Sequence, residues 1–122
     1  MRRILIVDDE RSILDVLAIL LTGEGYAAQT APDGHIALEL IAATRPDLLI
    51  TDVMMPRLDG WTLLAAVREH TPTLPVIVMS AVDPKAGRGD VLSVDHTIFL
   101  RKPFDIDTLL TSVDRLIGSP PN

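Results

Sequence analysis

Three short apolar runs, each closed by a polar or charged side chain, constrain this chain more than any other feature. They lie at 4–7 (Ile-Leu-Ile-Val), 48–51 (Leu-Leu-Ile-Thr) and 76–79 (Val-Ile-Val-Met), and Asp8, Asp52 and Ser80 follow them. Apolar runs of this length without polar alternation fit strands covered on both faces, as in a parallel sheet. Residues 98–101 read as a further strand leading to Lys102, and 27–31 as a weaker, edge strand.

Helix-period segments fill the gaps. Ile13, Leu17, Leu20 and Leu21 form one stripe, Ala37, Leu40 and Ile41 a second, and Leu63, Leu64 and Val67 a third. The last is the clearest: Ile106, Leu109, Leu110, Val113 and Ile117 recur at three-and-four spacing. Asp105 is placed to cap it and Gly118 to stop it. A fourth helix is expected from 83–92. Gly87 and Gly89 there cost about 1 kcal/mol each relative to Ala, so it should be short, frayed or mobile. The alternation predicts an α/β fold of the (βα)5 kind. Right-handed crossovers favour a flavodoxin-like, doubly wound parallel sheet with strand order 2-1-3-4-5. One domain is expected over 1–118, with 119–122 a tail or the start of a linker.

Composition removes several function classes. There is no Cys, so disulfide, zinc-thiolate and thiol chemistry are excluded. The net charge of −6 makes direct nucleic-acid binding unfavourable and points to proteins or cations as partners. Neither a secretory signal nor a membrane-spanning run is visible, so a cytoplasmic location with no membrane partner is the expectation.

Ligands of open α/β sheets bind beyond the carboxyl ends of the strands. The residues expected there are Asp8, Asp9, Asp52, Ser80 and Lys102. Clustered carboxylates repel one another and call for a hard cation with oxygen ligands, for which Mg²⁺ is the natural choice. An ammonium from Lys102 and a hydroxyl from Ser80 suit phosphoryl oxygens. Together these groups read as a phosphoryl-transfer site with Asp52 as nucleophile.

The chain resembles the receiver domain of two-component response regulators over nearly its whole length. The matching motifs are Ile6-Val7-Asp8-Asp9-Glu10, Asp52-Val53-Met54-Met55-Pro56 followed by Asp59-Gly60, Val78-Met79-Ser80-Ala81, and Lys102-Pro103-Phe104. The resemblance implies that Asp52 accepts a phosphoryl group from a sensor histidine kinase or a phosphotransfer protein. It implies Mg²⁺ binding by Asp9, Asp52 and the Met54 backbone carbonyl, with Asp8 acting through water. Ser80 and Lys102 would contact the phosphoryl oxygens. Ser80 and Phe99 would form the switch, and the bond before Pro103 would be cis. A downstream protein target follows, with a monomer or weak dimer through the face of the fourth helix, fifth strand and fifth helix. Asp95-His96 and the Gly-rich fourth helix depart from the family pattern at that face. Met54 and Val82 stand where family members orient a hydrolytic water, and neither holds water well, so a long-lived phosphoryl group is expected.

Such a chain is a signalling module that assists only its own phosphorylation and dephosphorylation, not an enzyme with a separate product. A Mg²⁺-dependent aspartyl-phosphate phosphohydrolase is the alternative, but it usually needs a second Asp two residues after the nucleophile, where Met54 stands. A phosphorylation-independent scaffold is the other, and the acidic cluster with Lys102 argues against it. His35, His70 and His96 read as solvated residues, and Trp61 as a shield over the start of the third helix.

Overall fold

The computed structural model describes residues 2–53, 55, 58–80, 91–94 (backbone only), 96–103 and 105–118. The elements run β1 (Arg3–Val7), α1 (Arg11–Gly23), β2 (Ala27–Ala31), α2 (Gly34–Thr44), β3 (Leu48–Asp52), α3 (Gly60–His70), β4 (Val76–Ser80), β5 (Val91–Val94), β6 (Thr97–Arg101) and α4 (Ile106–Ile117). The sheet order is β2-β1-β3-β4-β6-β5. Its first five members pair in parallel, the expected 2-1-3-4-5 arrangement, with β6 as the fifth parallel strand.

The apolar runs are continuous because both faces of the sheet are covered. Successive side chains on a strand point to opposite faces. Ile4, Ile6, Leu48, Ile50, Ile77, Met79, Ile98 and Leu100 pack against Leu14, Leu17 and Leu21 of α1 and Leu109, Val113 and Ile117 of α4. Leu5, Val7, Leu49, Val76 and Val78 pack on the other side against Ala37 of α2 and Leu63 and Val67 of α3. Each large side chain so buried stabilises the fold by about 1.5–3 kcal/mol. Asp33, Asp59 and Asp105 cap α2, α3 and α4 by accepting from the amides of Ile36, Thr62 and Thr108. Gly118, at φ 76°, ends α4 as expected.

The fourth helix needs correction. Val91 and Leu92, placed in it by the sequence reading, lie in β5, which pairs antiparallel with β6 as an edge strand. Residues 81–90, where the rest of that helix was expected, lie outside the described residues. Two β-branched valines in four residues favour a strand. His96, at φ 60°, supplies the left-handed backbone of the short reversal into β6.

Candidate functional site

Parallel register delivers the polar groups to one rim. β1 ends at Val7 and hands on Asp8, 1% exposed, whose amide donates to the Ala31 carbonyl at 3.2 Å. Asp52 closes β3 opposite Met79, and Ser80 closes β4 opposite Arg101. Both are buried. The Lys102 amide donates to the Ser80 carbonyl at 2.7 Å, which extends the β4–β6 ladder by one bond and brings the lysine to the rim. The Lys102–Pro103 peptide bond is cis.

The side chains converge. Lys102 Nζ lies 3.3 Å from Asp52 Oδ1 and 3.9 Å from Asp8 Oδ2. Asp52 Oδ1 also accepts from the Val53 amide at 2.9 Å, and Asp8 Oδ1 from the Glu10 amide at 2.9 Å. Asp8, Asp9 and Asp52 each offer an oxygen within 4.8 Å of the others. Burial pushes the Asp8 carboxyl up to about 6. The Glu10 amide and Lys102 act against that rise, and the charge of Asp52 and a hydrogen bond with Asp9 add to it. Asp9 itself is exposed.

These oxygens fit a hard divalent cation. Asp8 Oδ2 is, among the described residues, the one buried side-chain oxygen without a hydrogen-bond partner. A buried carboxylate oxygen left in that condition costs free energy that a cation or its water would offset. One ammonium cannot neutralise three carboxylates. The donors are all oxygens, the set that Mg²⁺ and Ca²⁺ prefer. Met54, whose carbonyl was expected to join the set, lies outside the described residues.

Two contacts were not foreseen in detail. Gly60 opens α3 hard against the end of β3. A Cβ there would lie 2.3 Å from the Asp52 carbonyl oxygen and 2.7 Å from Val53 Cα, and the Gly60 amide donates to the Val53 carbonyl at 2.9 Å. The Asp-Gly pair at 59–60, a cap followed by the smallest residue, was the available signal. Beside it, Trp61 stands against Phe99 with ring centroids 5.7 Å apart at 34°. His35, His70 and His96 are exposed.

Comparison with known proteins agrees with this architecture. The description "response regulator receiver domain" matches residues 4–114. Response regulator MprA of Mycobacterium ulcerans is 41% identical over 115 residues, which is 94% of this chain and 50% of that protein. MprA of Mycobacterium leprae is 40% identical over the same shares. The chain thus spans about half the length of the curated relatives it matches. Among solved structures, a Francisella response regulator receiver domain superposes with TM-score 0.83 at 33% identity, covering 96% of this chain and 97% of the other. Response regulator TrrA of Thermotoga maritima, in complex with Mg²⁺-BeF, gives 0.82 at 31%, covering 95% and 99%. Among the described residues no helix is long and apolar enough to cross a membrane. A doubly wound sheet with a carboxylate cluster and a lysine at its switch-point rim, matched along 4–114, places this chain in the response regulator receiver domain family of two-component signalling.

Proposed function

We propose that this receiver domain accepts a phosphoryl group on Asp52 from a histidine kinase or phosphotransfer protein, with Mg²⁺ bound, and thereby switches a protein-interaction surface. The observation that carries this reading is the contact of Lys102 Nζ with Asp52 Oδ1 at 3.3 Å beside the buried Asp8 Oδ2, which accepts no hydrogen bond. With Oδ1 held by Lys102 and the Val53 amide, Oδ2 is the oxygen offered to phosphorus. Its bond to phosphorus forms as the donor's phosphorus–nitrogen bond breaks, and the departing imidazole takes a proton from solvent. Lys102 stays to offset charge on the phosphoryl oxygens, and Ser80, at the end of the neighbouring strand, offers its hydroxyl to them. Asp9, Asp52 and the Met54 carbonyl would hold Mg²⁺, with Asp8 acting through water. The ion supplies positive charge that lowers the cost of bringing an anionic donor to an anionic site.

A protein donor has room to approach. An apolar groove of about 550 Å³, lined by Ser12, Ile13, Val16, Leu17, Met79 and Pro103, opens beside Lys102. The downstream partner is read as a protein, and a further domain of the natural polypeptide would serve as one. The reading is tested by incubating the chain with acetyl phosphate and following intact mass. One phosphoryl group should be gained with Mg²⁺ present and none after chelation. Equal gain with and without Mg²⁺ would count against it.

A further inference from the structure

We infer that Gly34 is a positioning residue for the cation site. It leaves a notch at the start of α2 in which Leu58 seats, so that the turn between β2 and α2 braces both the Asp8 strand end and the loop that follows Asp52. The inference rests on the reading of the carboxylate cluster as a Mg²⁺ site given above, and adds to it residues that hold no ion themselves.

The Asp8 side of the brace is a backbone bond. The Asp8 amide donates to the Ala31 carbonyl at 3.2 Å, one step beyond the last β1–β2 pair, Val7 with Ala31. Thr30 and Pro32, on either side of Ala31, line a small hollow with Asp9. Two residues beyond Ala31, Asp33 caps α2 by accepting from the Ile36 amide at 2.9 Å, and Gly34 is the first residue of that helix. The turn is thus fixed at both ends and lies against the end of β1.

The Asp52 side of the brace is a packing contact. The loop from Val53 to Gly60 is closed at its base by the Gly60 amide, which donates to the Val53 carbonyl at 2.9 Å. Val53 also donates its own amide to Asp52 Oδ1 at 2.9 Å, so the base of the loop orients the carboxylate. Within the loop, Met55 is buried and Leu58 half-buried against the core layer under α2 and α3. A Cβ on Gly34 would lie 2.3 Å from Leu58 Cδ2 and 3.0 Å from both its Cβ and its carbonyl oxygen. Unbonded carbons rest at about 3.5–4.0 Å. The Leu58 methyl could turn aside, but its Cβ and carbonyl could not without moving the loop.

Conformation does not call for glycine here. Gly34 is not among the residues at positive φ, and alanine is the better helix former. The position requires space. A side chain there pushes Leu58, and with it the loop after Asp52, away from the turn that holds Asp8. Asp8, Asp9 and Asp52 offer oxygens within 4.8 Å of one another, a spacing that a small, geometrically demanding cation such as Mg²⁺ depends on. Loss of a group that orients metal ligands typically weakens metal binding by about 10- to 100-fold.

The experiment measures Mg²⁺ affinity by isothermal titration calorimetry and metal-free stability by urea denaturation. Gly34→Ala should bind Mg²⁺ at least about tenfold more weakly than wild type. Leu58→Ala, which empties the notch without pushing on anything, should weaken binding less, and it carries the test should Gly34→Ala fail to fold. The two substitutions together should bind more tightly than Gly34→Ala alone, because the added methyl occupies the space the leucine left. Val67→Ala opens a cavity in the same core layer, about two turns along α3 from Gly60. It should lose stability and keep the wild-type Mg²⁺ affinity. Wild-type affinity in Gly34→Ala or in Leu58→Ala, no relief in the double variant, or an equal loss of affinity in Val67→Ala would each overturn the inference and leave the cation site standing. Failure of the wild type to bind Mg²⁺ would overturn both.

Discussion

Replacing Asp8 with Asn should make the metal-free protein more stable. Asp8 is 1% exposed, and its carboxyl is pushed up to about 6 from an ordinary 3.8, chiefly by burial. A carboxyl whose folded pKa lies above its unfolded one favours the unfolded state once it ionises. The penalty is absent below the unfolded value, grows as pH rises from 3.8 to 6, and is complete above that. A rise of this size corresponds to about 3 kcal/mol at pH 7.5 and roughly half that at pH 5. Asn keeps the shape and an oxygen for the Glu10 amide but never ionises. Asp8→Asn should therefore gain up to about 3 kcal/mol at pH 7.5, or roughly 10 °C in melting temperature for a domain of this size. The gain should be about halved at pH 5. Urea denaturation of both proteins with a chelator, at the two pH values, reads this directly. The same variant should lose most of the stabilisation that wild type gains from added Mg²⁺. A less stable variant, or a gain independent of pH, would refute the claim that Asp8 is a buried anion whose burial Lys102 and the Glu10 amide offset only in part.

Three further outcomes follow from the same geometry. Divalent cation affinity should fall as pH drops through 6, by about tenfold between pH 7.5 and 5, because a protonated Asp8 no longer supplies its charge; isothermal titration checks this, and a flat profile would contradict it. Gly60→Ala should cost about 3 kcal/mol in denaturant titrations, since its Cβ meets backbone at 2.3 Å, whereas Gly23→Ala, with nothing within 4 Å, should be neutral or stabilise by about 0.5–1 kcal/mol. The phosphorylated protein, freed of donor in excess Mg²⁺, should keep its phosphoryl group for much longer than seconds, and replacing Met54 with Asn and Val82 with Glu should hasten its loss; equal decay in both proteins would show that these positions do not set the lifetime.

Where burial was uniform, the sequence was legible. Ile4, Leu5, Ile6 and Val7 divide between the two core layers by simple alternation, and so do 48–50 and 76–79, as expected of doubly covered strands. Asp105 and Gly118 bracket α4 because capping is a local matter. Position at strand ends sufficed to bring Asp8, Asp9, Asp52 and Lys102 together. Long-range pairing was not legible. Val91 and Leu92 read as a helix end because their partners on β6 follow a backbone reversal that an isolated pattern does not announce. Nor could spacing reveal that Gly60 presses on Asp52, or that Trp61 reaches Phe99, since both depend on how α3 is laid across the sheet. That Asp8, rather than Asp9, is the deeply buried carboxylate is likewise a product of packing.

The most direct test of the central claim locates the phosphoryl group. The chain is phosphorylated with acetyl phosphate and Mg²⁺, the acyl phosphate is reduced with borohydride, and the digested peptides are sequenced by tandem mass spectrometry. Reduction converts a phosphorylated aspartate to homoserine and leaves other residues as they were. The account predicts homoserine at position 52 alone, and none in an Asp52→Asn protein whose denaturation midpoint shows it to be folded. Homoserine at position 8 or 9, or labelling of the Asp52→Asn protein at the wild-type rate, would contradict it.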